Sequence, residues 1–361
     1  MRRAPVLIVG GGPAGSAAAI ALARSGLRPE LAERSAGPHD VVCGGFLGWD
    51  ALSALTRLGV DVAALGARPI ARLRLVSARD RVETGLPRSA AGLSRRRLDE
   101  ALLASAAEAG AAVARGRTAR AAEPASRTVR FDDGEEVQAE RLLLATGKHE
   151  LRGVARPRDT SGDPVGLRAA LEPSPVLDRD LEGVIELHLF EGGYAGLLLQ
   201  EDGRANLCLS AARSRLREAG GVEPLIAALA AELPALRARL DQGAPGEWSA
   251  VSGVPYGWRT AKTVEGLYRL GDQAAVIASL AGDGIAIALT SGLSAAEAIA
   301  QGEEAPAWQR SFALRAAAPV AIAEGLRWAA ERSRPRSALM GVLGRLPGLP
   351  ALAASLTRIG R

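Results

Sequence analysis

The chain has 361 residues, of which 48% are hydrophobic and 24% are charged, so it can bury a substantial core and is not disordered. Its net charge of +5 does not indicate nucleic-acid binding, because only Lys148 and Lys262 are lysines and the 43 arginines are spread along the whole chain. The two cysteines, Cys43 and Cys208, cannot form a disulfide framework or a zinc site. We expect a cytoplasmic protein without a metal, and without a membrane span of ~20 apolar residues.

The chain opens with the pattern strand, glycine-rich turn, helix, strand. Residues 4–9 are an apolar run rich in β-branched side chains, which predicts a buried parallel strand. A GxGxxG turn follows at residues 10–15, then a helix to about Ser25, and a strand over residues 28–32 that ends at Glu33. Three glycines and a proline inside this stretch argue against a secretory signal.

This arrangement is typical of a dinucleotide-binding unit, in which each glycine has its own physical role. Gly10 permits the tight turn, Gly12 lets the backbone approach a pyrophosphate, and Gly15 allows the helix to pack closely on the strand. The helix N-terminus offers free N–H groups to the phosphates. Glu33 suits a ribose diol that carries no phosphate, so the sequence predicts FAD or NAD rather than NADP.

The rest of the chain mixes strand and helix patterns, and the turn at residues 132–136 is a hairpin signal rather than a metal site. We predict, in chain order, two strands within 71–87, a helix over 94–110, an antiparallel excursion over 112–145, a meander over 163–211, helices at 213–219 and 223–241, a strand at 248–254, a helix over 285–300, and C-terminal helices over 306–333 and 336–358. The last helices are expected to pack on the FAD-binding part of the fold. Membrane-surface contact is the alternative, suggested by the tail arginines Arg336, Arg345, Arg358 and Arg361.

A second glycine signal lies late in the chain. A predicted strand leads into Gly271-Asp272, and Gly282-Asp283-Gly284 then precedes the helix over 285–300. Asp272 suits a hydrogen bond to a ribityl chain, and Gly284 would let backbone N–H groups approach a flavin ring or pyrophosphate. Together with the start of the chain at the first strand, this second signal favours FAD over NAD.

These motifs, with Arg95 and Asp99 at the start of a predicted helix, resemble the flavoprotein monooxygenases of the para-hydroxybenzoate hydroxylase fold, and among them the geranylgeranyl-reductase-like branch. The resemblance covers roughly residues 1–300. It implies an α/β fold: a Rossmann-type FAD-binding domain interleaved with a mainly antiparallel β-sheet substrate domain, and a helical C-terminus. It also implies that Arg95 contacts the cofactor and that the Cys43-Gly44-Gly45 segment lies beside the flavin ring.

The expected domains follow from this resemblance. The FAD-binding domain comprises 1–70, 88–160 and 255–305, the substrate domain comprises 71–87 and 161–254, and the C-terminal helices comprise 306–361. Related monooxygenases carry Asp-Gly where this chain has Thr146-Gly147. That departure leaves FAD binding intact and concerns the handling of NAD(P)H, the expected reductant.

The candidate site residues fall into two groups. The expected cofactor-binding residues are Gly10, Gly12, Pro13, Ala14, Gly15, Glu33, Arg34, Cys43, Gly44, Arg95, Asp272, Gly282 and Gly284. Scarce aromatic side chains and one histidine are expected to line the substrate pocket: Phe46, Trp49, His188, Phe190, Tyr194, Tyr256 and Trp258. His188 is also the candidate acid/base, and Cys43 is either functional or a small buried residue.

The resemblance implies an FAD-dependent monooxygenase that forms a flavin hydroperoxide and acts on an aromatic, polyketide-like or other apolar small molecule, as in bacterial secondary metabolism. A reductase of an isoprenoid or activated double bond is the alternative, although Tyr256-Gly257-Trp258 shares only the start of the Tyr-x-Trp-x-Phe-Pro pattern of geranylgeranyl reductases. A halogenase is less favoured because a Trp-x-Trp-x-Ile-Pro segment is missing. A non-catalytic electron-transfer module is the remaining alternative.

Overall fold

The computed structural model describes residues 2–156, 164–346 and 348–360. The domain boundary expected at 160/161 therefore lies outside the described residues. The described strands form two β-sheets, and helices pack against both of them. No helix in these ranges is both long and apolar enough to cross a membrane.

Seven strands of the described chain form the first sheet: β1 (Arg2–Val9), β2 (Glu30–Glu33), β6 (Ala112–Arg115), β7 (Ala119–Glu123), β8 (Thr128–Phe131), β9 (Glu136–Leu144) and β15 (Leu267–Arg269). Their order is β6-β2-β1-β9-β8-β7, with β15 also beside β9. β1 pairs in parallel with β2 and β9, and β15 is parallel to β9. The carboxyl ends of these strands meet at one edge, where α/β proteins bind their ligands.

The excursion predicted as antiparallel over 112–145 is antiparallel only from β7 onward. β6 instead pairs in parallel with β2 and extends the Rossmann-type sheet. The helix α3 (Arg95–Glu108) carries the chain back before β6, and such a crossover produces a parallel strand.

Eight strands of the described residues form the second sheet: β3 (Phe46–Leu47), β4 (Arg68–Val76), β5 (Arg81–Gly92), β10 (Pro164–Leu171), β11 (Gly183–Phe190), β12 (Gly193–Leu199), β13 (Ala205–Ala212) and β14 (Ser249–Val251). β11, β12 and β13 form an antiparallel meander as predicted, but the first strand of the predicted meander, β10, pairs with β13 rather than with β11. β4 joins β11 in parallel, so this sheet draws strands from two distant parts of the chain.

The remaining helices are α1 (Pro13–Arg24), α2 (Trp49–Arg57), α4 (Pro175–Leu181), α5 (Arg213–Ala219), α6 (Val222–Glu232), α7 (Pro234–Leu240), α8 (Gly284–Ala300), α9 (Ala305–Ala330), α10 (Ser333–Arg345) and α11 (Leu349–Leu356). Pro234 divides the helix predicted over 223–241 into α6 and α7 because proline lacks the N–H that continues a helix. α1 packs against α3 and α8 over the first sheet. A Cβ on Gly292 would lie 2.3 Å from the carbonyl oxygen of Ala14, so α8 can approach α1 closely only with glycine there.

The second sheet is covered on both faces. One face forms an apolar core with the helices α4 to α7, from residues such as Leu167, Leu197 and Leu207. The other face, which includes Leu187 and Tyr194, borders the space between the two sheets. That space holds the candidate functional site.

Candidate functional site

The glycine turn after β1 has the geometry that its sequence predicts. Gly10 has φ +108°, and a Cβ there would lie 2.3 Å from the carbonyl oxygen of Ala145. A Cβ on Gly15 would lie 1.9 Å from the carbonyl oxygen of Gly10. Side chains at these two positions would collide with backbone, so Gly10 and Gly15 are needed to build the turn itself.

Gly12 is different, because its missing side chain leaves space for a ligand. It precedes the first residue of α1 in extended conformation, and no side chain caps the helix. Among the described residues, a Cβ there would have one atom within 4 Å, the Arg95 Nη2, at a distance of 3.4 Å. The first N–H groups of α1 therefore face an open cavity, as a pyrophosphate site requires.

Glu33 lies at the end of β2 and is 9% exposed. Its carboxylate accepts hydrogen bonds from the backbone N–H groups of Gly11 at 2.6 Å and Ser35 at 2.8 Å. Each carboxylate oxygen has a further lone pair, which can accept a hydrogen bond from a ribose hydroxyl. The backbone thus orients this side chain before any ligand binds.

Replacing Glu33 with glutamine is expected to weaken FAD binding by about tenfold, because hydrogen bonds to a charged group contribute about 1.5 kcal/mol. Titration of the apoprotein with FAD, followed by flavin fluorescence, measures this change. Glu108→Gln, at an exposed position on α3, is the matched control. An unchanged dissociation constant for Glu33→Gln would remove this carboxylate from the cofactor site.

Two arginines border the adenosine end of the cavity. Arg95 opens α3, and its guanidinium donates to both Asp99 oxygens, at 2.8 and 2.7 Å, while Arg96 and Arg97 are exposed. Arg34 lies 2.8 Å from Nε2 of His149. Burial, together with the charges of Arg34 and Lys148, lowers the pKa of His149, so its ring is neutral and accepts from Arg34.

The Cys43-Gly44-Gly45 loop and the start of α8 border the next part of the cavity. Asn206 holds the loop in place, because its Nδ2 donates to the carbonyl oxygens of Cys43 at 3.0 Å and Gly44 at 2.9 Å. A Cβ on Gly44 or Gly284 would meet nothing within 4 Å, so both backbones face open space.

These features fit an extended FAD. The cavity has a volume of about 710 Å³. Gly12 and Gly284 line the same cavity, so a single extended ligand could contact both. Of the expected cofactor-binding residues, all line the cavity except Gly15, whose role is in packing: Gly10, Gly12, Pro13, Ala14, Glu33, Arg34, Cys43, Gly44, Arg95, Asp272, Gly282 and Gly284.

The cavity continues into a chamber against the second sheet. The chamber walls are mainly apolar and come from Ile185, Leu187, Leu198, Val254, Ile277 and Leu280. Three of the expected pocket residues, Phe46, Tyr194 and Tyr256, also line this cavity. The structure therefore places an apolar chamber directly beside the loop at Cys43.

The other expected pocket residues lie elsewhere. The Arg358 guanidinium carbon lies 4.6 Å from the centroid of the Trp49 ring, and the Arg156 guanidinium carbon lies 5.7 Å from the centroid of the Trp258 ring. His188 and Phe190 point to the opposite face of β11 from Leu187, because successive strand residues alternate between faces.

His188 therefore does not reach the chamber and is not proposed as its acid/base. It is completely buried, and its Nε2 lies 2.9 Å from Glu186, which also accepts hydrogen bonds from Arg74 at 2.6 Å and Arg239 at 2.9 Å. Although burial favours the protonated form, the hydrogen bonds from His188 and Arg239 hold the pKa of Glu186 far below its usual range. This cluster is a buried ion-pair network on the outer face of the sheet.

The sequence did not single out three polar residues that line the cavity: Lys148, Cys208 and Ser279. Lys148 Nζ donates to the carbonyl oxygen of Val42 at 2.8 Å. Burial, with the neighbouring Cys43, raises the pKa of Cys208 to about 12, so its thiol stays protonated. Lysine is so rare in this chain that Lys148 could have been recognised as unusual.

Comparison with known proteins agrees with this geometry. Residues 3–152 match the family model described as an FAD binding domain. The menaquinone reductase of Mycobacterium tuberculosis is 29% identical over 332 residues, covering 86% of this chain and 80% of its own.

Solved structures share the fold. The flavin-dependent brominase Bmp2 superposes with a TM-score of 0.82 at 17% identity, over 99% of this chain and 93% of its own. A geranylgeranyl bacteriochlorophyll reductase-like protein from Thermoplasma acidophilum gives 0.73 at 20% identity, over 98% and 95% of the two chains. Residues 3–152 therefore match an FAD-binding domain, and the likeness to the solved structures shows the fold of the chain.

Proposed function

We propose that the chain is an FAD-dependent monooxygenase that acts on an aromatic, polyketide-like or other apolar small molecule, with NAD(P)H as the reductant. The observation that supports this proposal is the apolar chamber, which opens beside the loop at Cys43 and is continuous with the cofactor cavity. Bound FAD would accept electrons from NAD(P)H and pass them to O₂, which it would thereby activate. The choice of NAD(P)H rests on the resemblance to the family.

In this proposal the protein binds and orients the reactants and excludes water from them. The N-terminus of α1 and Glu33 hold the adenosine diphosphate part of FAD, and the Cys43 loop and Gly284 border its ring. Leu187, Leu198 and Ile277 exclude water from the chamber, which protects reactive oxygen chemistry from side reactions.

A reductase of an activated or isoprenoid double bond is the second candidate. It is favoured by the menaquinone reductase that aligns with 86% of this chain. The chamber also offers proton donors for such a reaction, because Lys148 and the hydroxyl groups of Tyr194 and Tyr256 line it.

Labelled oxygen separates the two candidates. Holoprotein would be incubated with NADPH, ¹⁸O₂ and either 2-naphthol or a short-chain prenylated naphthoquinone, and the products would be analysed by mass spectrometry. A monooxygenase gives a product heavier by one labelled oxygen atom, and none without O₂. A product heavier by two hydrogen atoms, formed equally under argon, would replace the monooxygenase by the reductase. Hydrogen peroxide as the sole product with both probes would contradict both candidates.

A further inference from the structure

Three side-chain hydroxyl groups meet at one wall of the chamber. They come from Tyr194 on β12, Tyr256 in the loop after β14, and Ser279 in the turn before α8. The Tyr194 hydroxyl donates to Ser279 Oγ at 2.5 Å, and the Tyr256 hydroxyl lies 2.7 Å from the same Oγ. All three residues line the cavity, so the cluster is accessible to a ligand in the chamber.

The hydrogen bonds within this cluster leave one O–H group unused. Three hydroxyls carry three protons but make two hydrogen bonds with one another, so one O–H is left over in either arrangement of the Tyr256–Ser279 bond. Ser210, which lies opposite Tyr194 on β13, adds a fourth hydroxyl. Ser210 is 2% exposed, lies beside the Tyr256 hydroxyl and is not among the residues that line the cavity.

Lys148 adds positive charge on the same side. Its ammonium group has three N–H donors, one of which is directed to the Val42 carbonyl oxygen. Burial lowers the pKa of Lys148, but Asp272, Cys43 and Tyr256 together raise it by more than burial lowers it. The pKa of Lys148 is therefore above its ordinary value. Burial raises the pKa of Tyr256 above its ordinary value, against the opposing charge of Lys148. Both groups are therefore protonated donors at neutral pH.

We propose that Tyr256 and Ser279, with Lys148 beside them, form a binding site for an oxygen atom of the substrate that accepts hydrogen bonds. A buried donor without a partner costs stability, and a carbonyl or phenolate oxygen placed there removes that cost. The apolar walls hold the carbon skeleton at the same time. The substrates are thus apolar carbonyl compounds or ionised phenols rather than pure hydrocarbons. This inference rests on the proposed function only in placing the substrate in the chamber.

Two ligands of similar shape test the site. Menadione carries two carbonyl oxygens that 2-methylnaphthalene lacks, and each can be titrated into oxidised holoprotein while the flavin absorbance is followed. We expect menadione to bind 10- to 100-fold more tightly, the ratio that about 1.4 to 2.7 kcal/mol of hydrogen bonding produces. Tyr256→Phe and Ser279→Ala should each reduce this ratio by about fivefold or more, with the affinity for 2-methylnaphthalene unchanged.

Tyr268→Phe is the matched control, because the Tyr268 hydroxyl donates to the Glu303 carbonyl oxygen at 2.7 Å and does not line the cavity. It should leave the ratio unchanged. Lys148→Met provides an independent variant should the loop around Tyr256 not tolerate phenylalanine. Equal affinities for the two ligands, no binding of menadione, or a ratio unaffected by every variant would overturn the proposed oxygen site. These titrations need no turnover, so their failure is distinct from failure of the labelled-oxygen experiment.

Discussion

Substituting Gly12 with alanine is expected to weaken FAD binding by 100-fold or more, about 2.7 kcal/mol, while the apoprotein stays folded. The added methyl group would approach only Arg95 Nη2, at 3.4 Å, so the empty protein can accommodate it. It would, however, occupy the space through which a pyrophosphate reaches the N-terminus of α1. Flavin content after purification and fluorescence titration of the apoprotein measure the loss, and thermal unfolding of the apoprotein measures the fold.

Two other glycines make this result interpretable. Gly15→Ala should destabilise even the apoprotein, because its Cβ would lie 1.9 Å from the Gly10 carbonyl oxygen. Gly325→Ala on α9 should leave the flavin content unchanged and should not lower the thermal stability, since its Cβ would meet no atom of the described residues within 4 Å and alanine favours a helix. Normal flavin content in Gly12→Ala would refute the assignment of the phosphate site.

Substituting Arg358 with methionine is expected to lower the free energy of unfolding by about 3 kcal/mol at pH 8. Asp283 is completely buried between Gly282 and Gly284 at the start of α8, and Arg358, which is 4% exposed, forms an ion pair with it. The Arg358 guanidinium also lies over Trp49. Removing Arg358 would leave a buried carboxylate beside the turn that borders the cofactor cavity.

The size of this effect should depend on pH. Burial raises the pKa of Asp283 from 3.8 to about 7, against the lowering influence of Arg358. Between about pH 4 and 7, Asp283 is therefore protonated in the folded protein and ionised in the unfolded chain. Binding this proton stabilises the folded protein, and the stabilisation is lost as pH rises through that range. Without Arg358 the pKa rises further, so the penalty of Arg358→Met should be smaller at pH 6 than at pH 8.

Urea denaturation at the two pH values measures the difference. The double variant Asp283→Asn with Arg358→Met should recover part of the lost stability, because it leaves no buried charge. An equal penalty at pH 6 and pH 8, or no recovery in the double variant, would contradict this description of the pair.

The cofactor half of the site was predictable because its signals are local. A GxGxxG turn, a helix and an acidic residue after the second strand specify their own geometry within about thirty residues.

The contacts of the C-terminal tail were not predictable in this way. The sequence favoured packing of the C-terminal helices on the FAD-binding part. α9 contacts β15 and α8, and Arg358 contacts Asp283, but α10 and α11 pack on β5 of the second sheet, and no local pattern names these partners. Arg361 lies outside the described residues.

The substrate half was less predictable because both faces of its sheet are buried. β11 carries apolar residues toward the chamber and toward the helices, so alternation could not tell whether Leu187 or His188 faces the cavity. Trp49 and Trp258 instead pack on arginines that are remote in sequence. Lys148 and Ser279 were missed because one lysine and one serine form no spacing pattern.

The crystal structure of the FAD-loaded protein is the most direct test of the central claim, that one cavity holds an extended FAD and an oxygen-bearing apolar substrate. We expect the adenosine ribose at Glu33, the pyrophosphate at Gly12, and the flavin ring between the Cys43 loop and Gly284, facing the chamber that holds Tyr256. An FAD whose ring lies outside this chamber, or whose ribose does not contact Glu33, would contradict the claim.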